Sequence, residues 1–133
     1  MTGYVYDSGV LIGAERNDRF VWALHKRLLE QASRPVVPST VLAQAWRGGP
    51  QAQLSRFLKG CEIRPFTDSD ARQAGHLLGR NRTSDIVDAS VVVVGQSRGC
   101  TILTSDPDDL RLLAAALGRP RVEIRDLNDL TRL

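Results

Sequence analysis

The stretch at residues 83–110, TSDIVDASVVVVGQSRGCTILTSDPDDL, decides how the chain is read. It carries carboxylates at both ends of an apolar run that divides at Gly99. Thr83 or Ser84 is suited to cap a helix, with Asp85 in its first turn and Asp88 one turn on. Gly99 is a natural stop, and residues 100–104 have the composition of a buried strand. By propensity alone residues 89–94 also suit a strand, because valines crowd a helix. The cap, the length and the surrounding alternation of elements favour a helix. Asp106, Asp108 and Asp109 follow the strand at once, with Pro107 fit for a first helical turn. Acid therefore falls at the carboxyl end of a strand, where open α/β sheets bind ligands.

Upstream, Arg80-Asn81-Arg82 is a basic loop following a helix that turns Ala71, Ala74, Leu77 and Leu78 inward and stops at Gly79. Thr67 and Asp70 form a capping box at its start. Residues 61–66 read as a strand with Cys61 and Ile63 alternating against charge, after a helix opened by Pro50, closed by Gly60 and packed through Leu54, Phe57 and Leu58. Ser39 caps a helix bearing Val41, Leu42, Gln44, Ala45 and Trp46, ended by Arg47-Gly48-Gly49, with Trp46 suited to core or interface. Residues 34–38 form a short proline-bracketed strand before it. Asp18 caps an amphipathic helix repeating Phe20, Val21, Leu24, Leu28 and Leu29. Tyr4-Val5-Tyr6 is a β-favouring run that stops at Asp7-Ser8-Gly9. Downstream, Leu110, Leu112, Leu113, Ala116 and Leu117 form a helix closed by Gly118, and Val122, Ile124 and Leu127 alternate as a last strand. Such alternation with short turns argues for one α/β domain over residues 1–133, a mostly parallel sheet covered by helices on both faces.

With 42% hydrophobic residues the chain can bury a sizeable core. It has no run of about 18 apolar residues and no signal-type start, so a cytoplasmic location and no membrane contact are expected. Cys61 and Cys100 lie in strand-like segments as reduced thiols, without metal-ligand spacing. The net charge of +3 is modest, but only two of eighteen basic residues are lysines. Arginine's planar fork suits phosphate, although an arginine-rich coding background produces the same bias. No glycine-rich phosphate loop precedes a helix. His25 and His76 fall within amphipathic helices, at the surface or the core edge, and Ser8 has no histidine partner.

Asp7, Asp88 and Asp106 each stand at a strand end or near a helix start, in segments a parallel sheet brings to one edge. Singly, each suits a helix cap or a charge complementing a helix dipole. Together they would repel and raise one another's pKa unless a cation neutralised them. With few His and no paired Cys, oxygen ligands point to Mg²⁺ or Mn²⁺. Such a site suits phosphodiester hydrolysis. Arg47, Arg80 and Arg82 suit the substrate backbone, or equally are solvated loop charge. A phospho-acceptor role for Asp7 fits less well, since Gly9 stands where a dehalogenase-type nucleophile wants a second Asp.

Four pieces in order resemble the PIN-domain ribonucleases, particularly the VapC-like toxins of toxin–antitoxin pairs: Asp-Ser-Gly-Val-Leu-Ile from Asp7, Pro-Ser-Thr-Val-Leu-Ala from Pro38, Asp-Ala at Asp88, and Leu-Thr-Ser-Asp ending at Asp106. The likeness spans nearly the whole chain, and the 18-residue step from Asp88 to Asp106 matches the family's usual spacing. It implies a three-layer α/β/α sandwich, a Mg²⁺- or Mn²⁺-dependent cut in RNA leaving a 5′-phosphate, a cognate antitoxin and a homodimer. Three family acids fall on Asp7, Asp88 and Asp106. Where the family has Glu, this chain has Gln44, which offers a carbonyl oxygen without the charge. Asp85 or Asp109 would restore that charge, or Asp85 is simply a first-turn acid. Thr104 and Ser105 are expected to orient Asp106 from behind, Ser105 also being suited to cap the next helix, and Ser8 is expected to support Asp7. If the missing charge abolishes turnover, the alternative is a PIN-like protein that only binds RNA or a partner.

Overall fold

Short apolar runs punctuated by Asp, Gly and Pro fold here into alternating strands and helices. The computed structural model describes residues 3–117 and 122–130. In chain order the elements are β1 (Tyr4–Tyr6), α1 (Ser8–Glu15), α2 (Arg19–Glu30), β2 (Val36–Pro38), α3 (Ser39–Ala45), α4 (Ala52–Leu58) and β3 (Glu62–Arg64). They continue as α5 (Asp68–Asn81), α6 (Ile86–Arg98), β4 (Thr101–Thr104), α7 (Pro107–Ala115) and β5 (Ile124–Asp126), with a 3-10 turn at Leu127–Asp129. All strand pairs are parallel, in the order β3-β2-β1-β4-β5. The chain builds outward from β1 to β3, then crosses back to lay β4 on the other side of β1. The topological switch point therefore lies between β1 and β4, where Tyr6 is in register with Leu103.

Helices cover both faces. α1 packs against α2, α3 and α4, while α6 packs against α5, α7 and the strands β1, β2 and β4. α3 touches both groups. α6 is the central element: Ala89 to Gly95 are all buried, so its sequence is apolar on every side and lacks the one-sided stripe of a surface helix. That burial explains why residues 89–94 carry strand-like composition yet fold as a helix. Gly99 ends α6 at φ +62, the left-handed geometry that favours glycine.

The predicted alternation and the Asp18 cap and Thr67/Asp70 capping box all occur, with several local differences. Asp85, rather than Thr83 or Ser84, caps α6, its carboxylate accepting the Asp88 N–H at 3.0 Å. A full negative charge at a helix start outcompetes a hydroxyl there. α5 runs through Gly79 to Asn81, because one glycine weakens a helix without ending it, and Arg82 takes the left-handed cap position at φ 52. Arg80 and Asn81 are thus helical rather than loop. Pro38 occupies the α3 cap position without a side-chain bond, and the Ser39 hydroxyl accepts the Phe66 N–H instead. Ile63 is exposed on the edge strand β3, Leu112 is exposed on α7, and Trp46 at 41% exposure lies outside the core. The expected stop at Gly118 lies outside the described residues.

His25 is buried instead of sitting at the surface or core edge. Its Nδ1 pairs with the Tyr6 hydroxyl at 2.8 Å and its ring stacks on Phe57 at 3.8 Å. Desolvation lowers its pKa, as expected of an imidazole held neutral in a packed aromatic cluster. Cys61 and Cys100 are free thiols, and burial pushes the Cys61 thiol up to about 12. No helix among the described residues is long and apolar enough to cross a membrane.

Candidate active site

β1 and β4 end side by side, and the chain emerging from each supplies an acid. Asp7 follows β1 and is locked by the backbone: its N–H donates to the Leu103 carbonyl at 3.0 Å, and its Oδ1 accepts the Ser8 N–H at 2.7 Å as the α1 cap. Its other oxygen, Oδ2, accepts the Thr104 hydroxyl at 2.8 Å. The same Thr104 oxygen accepts the Asp106 N–H at 3.0 Å. One fully buried threonine thus joins the Asp7 carboxylate to the Asp106 backbone across the switch point.

Asp88 enters from the first turn of α6, tied through its backbone to Asp85. Desolvation, followed by the charges of Asp85 and Asp7, raises its pKa to about 7. Asp7 is raised as well, chiefly by burial and then by Asp85 and Asp106, while the Thr104 and Ser8 bonds act the other way. Asp7 and Asp88 are thus both pressed by neighbouring acids, Asp85 acting on both, Asp106 on Asp7, and Asp7 and Asp109 on Asp88, so that a shared negative field bears on these two carboxyls. Among the described residues no three His, Cys, Asp or Glu side chains stand close enough to form a ready-made metal shell. The donors are nonetheless all carboxylate oxygens under mutual repulsion, the chemistry that a hard divalent cation relieves.

The supporting residues differ from expectation. Thr104 holds Asp7 through its side chain and Asp106 only through the backbone. The Ser105 hydroxyl makes no hydrogen bond among the described residues, and Asp106, not Ser105, occupies the α7 cap position. Ser8 contributes its N–H, not its hydroxyl. Gly9 was not anticipated from sequence: a Cβ there would stand 2.1 Å from Ser105 Oγ and 3.1 Å from Ser105 Cβ. The glycine of Asp-Ser-Gly lets α1 start against the turn carrying Asp106. The signal in the sequence is its place in the Asp-Ser-Gly piece, two residues after a strand-end acid.

Gln44, Arg47, Arg80 and Arg82 lie on α3, on α5 and in the turns that follow them. Gln44 is exposed and lines a cleft of about 190 Å³ with Arg16 and Arg47, between α1 and the end of α3. Arg80 lines a separate groove of about 320 Å³ with His76, Leu77 and Leu117. Arg82 is exposed at the α5 cap, three positions before Asp85. None of the arginines forms an ion pair with the acid group among the described residues.

No protein-family model and no curated protein sequence matches this chain. Solved structures do. VapBC2 from Rickettsia felis bound to a DNA fragment from their promoter matches with a TM-score of 0.71 at 15% identity, over 92% of this chain and 97% of that one. A toxin-antitoxin complex from Klebsiella pneumoniae matches at 0.67 and 16% identity, over 94% and 98% of the two chains. DNA-bound VapBC from Salmonella typhimurium matches at 0.66 and 17% identity, over 96% and 99%. At such identities the likeness is one of architecture, and with the parallel sheet described above it means that this chain has the VapC-like PIN fold, a three-layer α/β/α sandwich.

Proposed function

We propose that the protein is a metal-dependent endoribonuclease, hydrolysing RNA phosphodiester bonds at the β1/β4 switch point with Mg²⁺ or Mn²⁺. The observation that carries this is the Thr104 bridge between Asp7 and Asp106 beside an Asp88 whose pKa is raised to about 7 by burial and then by its acidic neighbours. Buried charge of one sign is costly unless something of the other sign completes it. Asp7, Asp88 and Asp106 would hold the cation, with Asp85 and Asp109 adding charge through water. When bound, the cation supplies an activated water and offsets charge on the leaving oxygen. Arg47, Arg80 and Arg82 would grip phosphates along the strand. Since the structural neighbours are VapBC and toxin–antitoxin complexes, an antitoxin-type protein partner and a homodimer belong to the same proposal.

The second reading is a binder that no longer turns over, favoured by the neutral amide of Gln44 where the family it resembles carries a carboxylate. A labelled RNA incubated with Mn²⁺, with EDTA, and with Asp88→Asn separates them. Cleavage that needs Mn²⁺ and vanishes in the variant supports the nuclease; RNA retention without cleavage by the wild type supports the binder.

A further inference from the structure

Gln44 lines a small cleft that also holds two arginines and one glutamate. Ile12, Glu15, Arg16, Gln44, Arg47 and Gln51 line it. The single carboxylate present is committed: Glu15 Oε2 accepts the Leu54 N–H at 3.0 Å, in the first turn of α4, whose own cap residue Gln51 makes no capping bond. Gln51 in turn pins the connecting loop, accepting the Arg47 N–H at 2.7 Å and donating to the Ala45 carbonyl at 3.0 Å. Arg47 Nη1 donates to the Trp46 carbonyl at 2.9 Å, which fixes the guanidinium at the end of α3. The same Nη1 also donates to the Ala43 carbonyl at 3.4 Å, and Arg16 makes no side-chain hydrogen bond or ion pair among the described residues. A glutamate at 44 would add a second carboxylate to the lining that Arg16 and Arg47 share. With the neutral amide, the cleft lining carries two cations against the one carboxylate of Glu15.

We propose that this cleft is a phosphate subsite for single-stranded RNA: Arg16 and Arg47 receive a backbone phosphate flanking the scissile one, and Gln44 keeps the subsite positive. The assignment rests on the RNA-cleaving reading above and gives Gln44 a function in binding substrate rather than metal. Arginine's planar fork pairs bidentately with phosphate oxygens, and each phosphate so neutralised adds about 0.7 to the salt dependence of single-strand binding.

The test is anisotropy of a fluorescein-labelled oligouridine RNA in EDTA across a salt series, with thermal melts of every variant and Mn²⁺-supported cleavage measured in parallel. Arg16→Ala and Gln44→Glu are each expected to weaken binding about 3- to 10-fold at low salt, with Arg16→Ala flattening the salt slope by about 0.7. Gln44→Lys is expected to tighten binding, and Arg27→Ala on α2 to leave it unchanged. Binding that is equal or tighter in Gln44→Glu, or a loss in Arg27→Ala as large as in Arg16→Ala, overturns the subsite. If cleavage persists while Arg16→Ala and Gln44→Glu bind as the wild type does, the subsite fails and the nuclease stands. If the variants shift binding while the wild type never cleaves, the subsite stands and the nuclease fails.

Discussion

Asp88→Asn should stabilise the metal-free protein at pH 8. In the folded chain Asp88 titrates near 7 instead of its ordinary 3.8, because burial and the charges of Asp85 and Asp7 oppose its ionisation. That gap is equivalent to about 4 kcal/mol at ~1.36 kcal/mol per pH unit. Asp88 is only half-buried, so solvent screening leaves about 1–2 kcal/mol. The sign follows from linkage. A carboxyl whose folded pKa is raised contributes its full relative stability below the unfolded pKa and loses it as pH rises through the folded value, here between about 4 and 7. Wild type and variant should therefore melt together at pH 4, while at pH 8 in EDTA the variant melts about 3–10 °C higher. The backbone N–H of residue 88 still caps onto Asp85 in the variant, so the helix start is preserved. Adding Mn²⁺ at pH 8 should raise the wild-type melting temperature more than the variant's. A variant no more stable than wild type at pH 8 would refute the idea that Asp88 is pressed by neighbouring acids, and with it the shared negative field.

Thr104→Val removes the donor to Asp7 and the acceptor of the Asp106 N–H; it should cost about 1–3 kcal/mol in denaturant melts and weaken Mn²⁺ binding, while Thr104→Ser restores both. Gly9→Ala drives a Cβ into Ser105 and should reduce cleavage at least about 10-fold, a loss that Ser105→Gly relieves; unchanged cleavage in Gly9→Ala would show that the turn yields freely. Trp46, exposed beside Arg47, should stack a base, so Trp46→Ala is expected to weaken oligouridine binding by at least about 5-fold, consistent with about 1 kcal/mol or more per stacked base. His25 has a lowered folded pKa, so its neutral form stabilises the fold and that contribution is lost as pH falls below the unfolded value near 6.5. His25→Gln should flatten the acid-side slope of stability, measured by melts between about pH 5 and 7.

Much of the architecture was legible without coordinates because it rests on local chemistry. Asp18, Thr67 with Asp70, Gly99, and Pro107 punctuate the chain through side-chain or backbone geometry that acts within a few residues. The strand-to-helix alternation then leaves few topologies open. Elements whose identity depends on surroundings were harder: residues 89–94 resemble a strand because the helix they form is buried on every side, and His25 resembles a surface residue until the Tyr6 and Phe57 rings close over it. Gly79 and Ser39 misled because a helix interior tolerates one glycine and a hydroxyl can serve a distant N–H instead of its own helix.

The sequence by itself determined that Asp7 and Asp106 end strands and that Asp88 opens a helix, since those placements depend on runs, caps and stops along the chain. Only the tertiary structure decided which side chains share a field. The strand order sets β1 against β4, so Thr104, 97 positions from Asp7, becomes its hydrogen-bond partner. The same packing sets Gln44 in one cleft with Arg16, the cap residue that ends α1. Proximity between distant segments is a property of the packed sheet and its covering helices, and no spacing within the chain encodes it on its own.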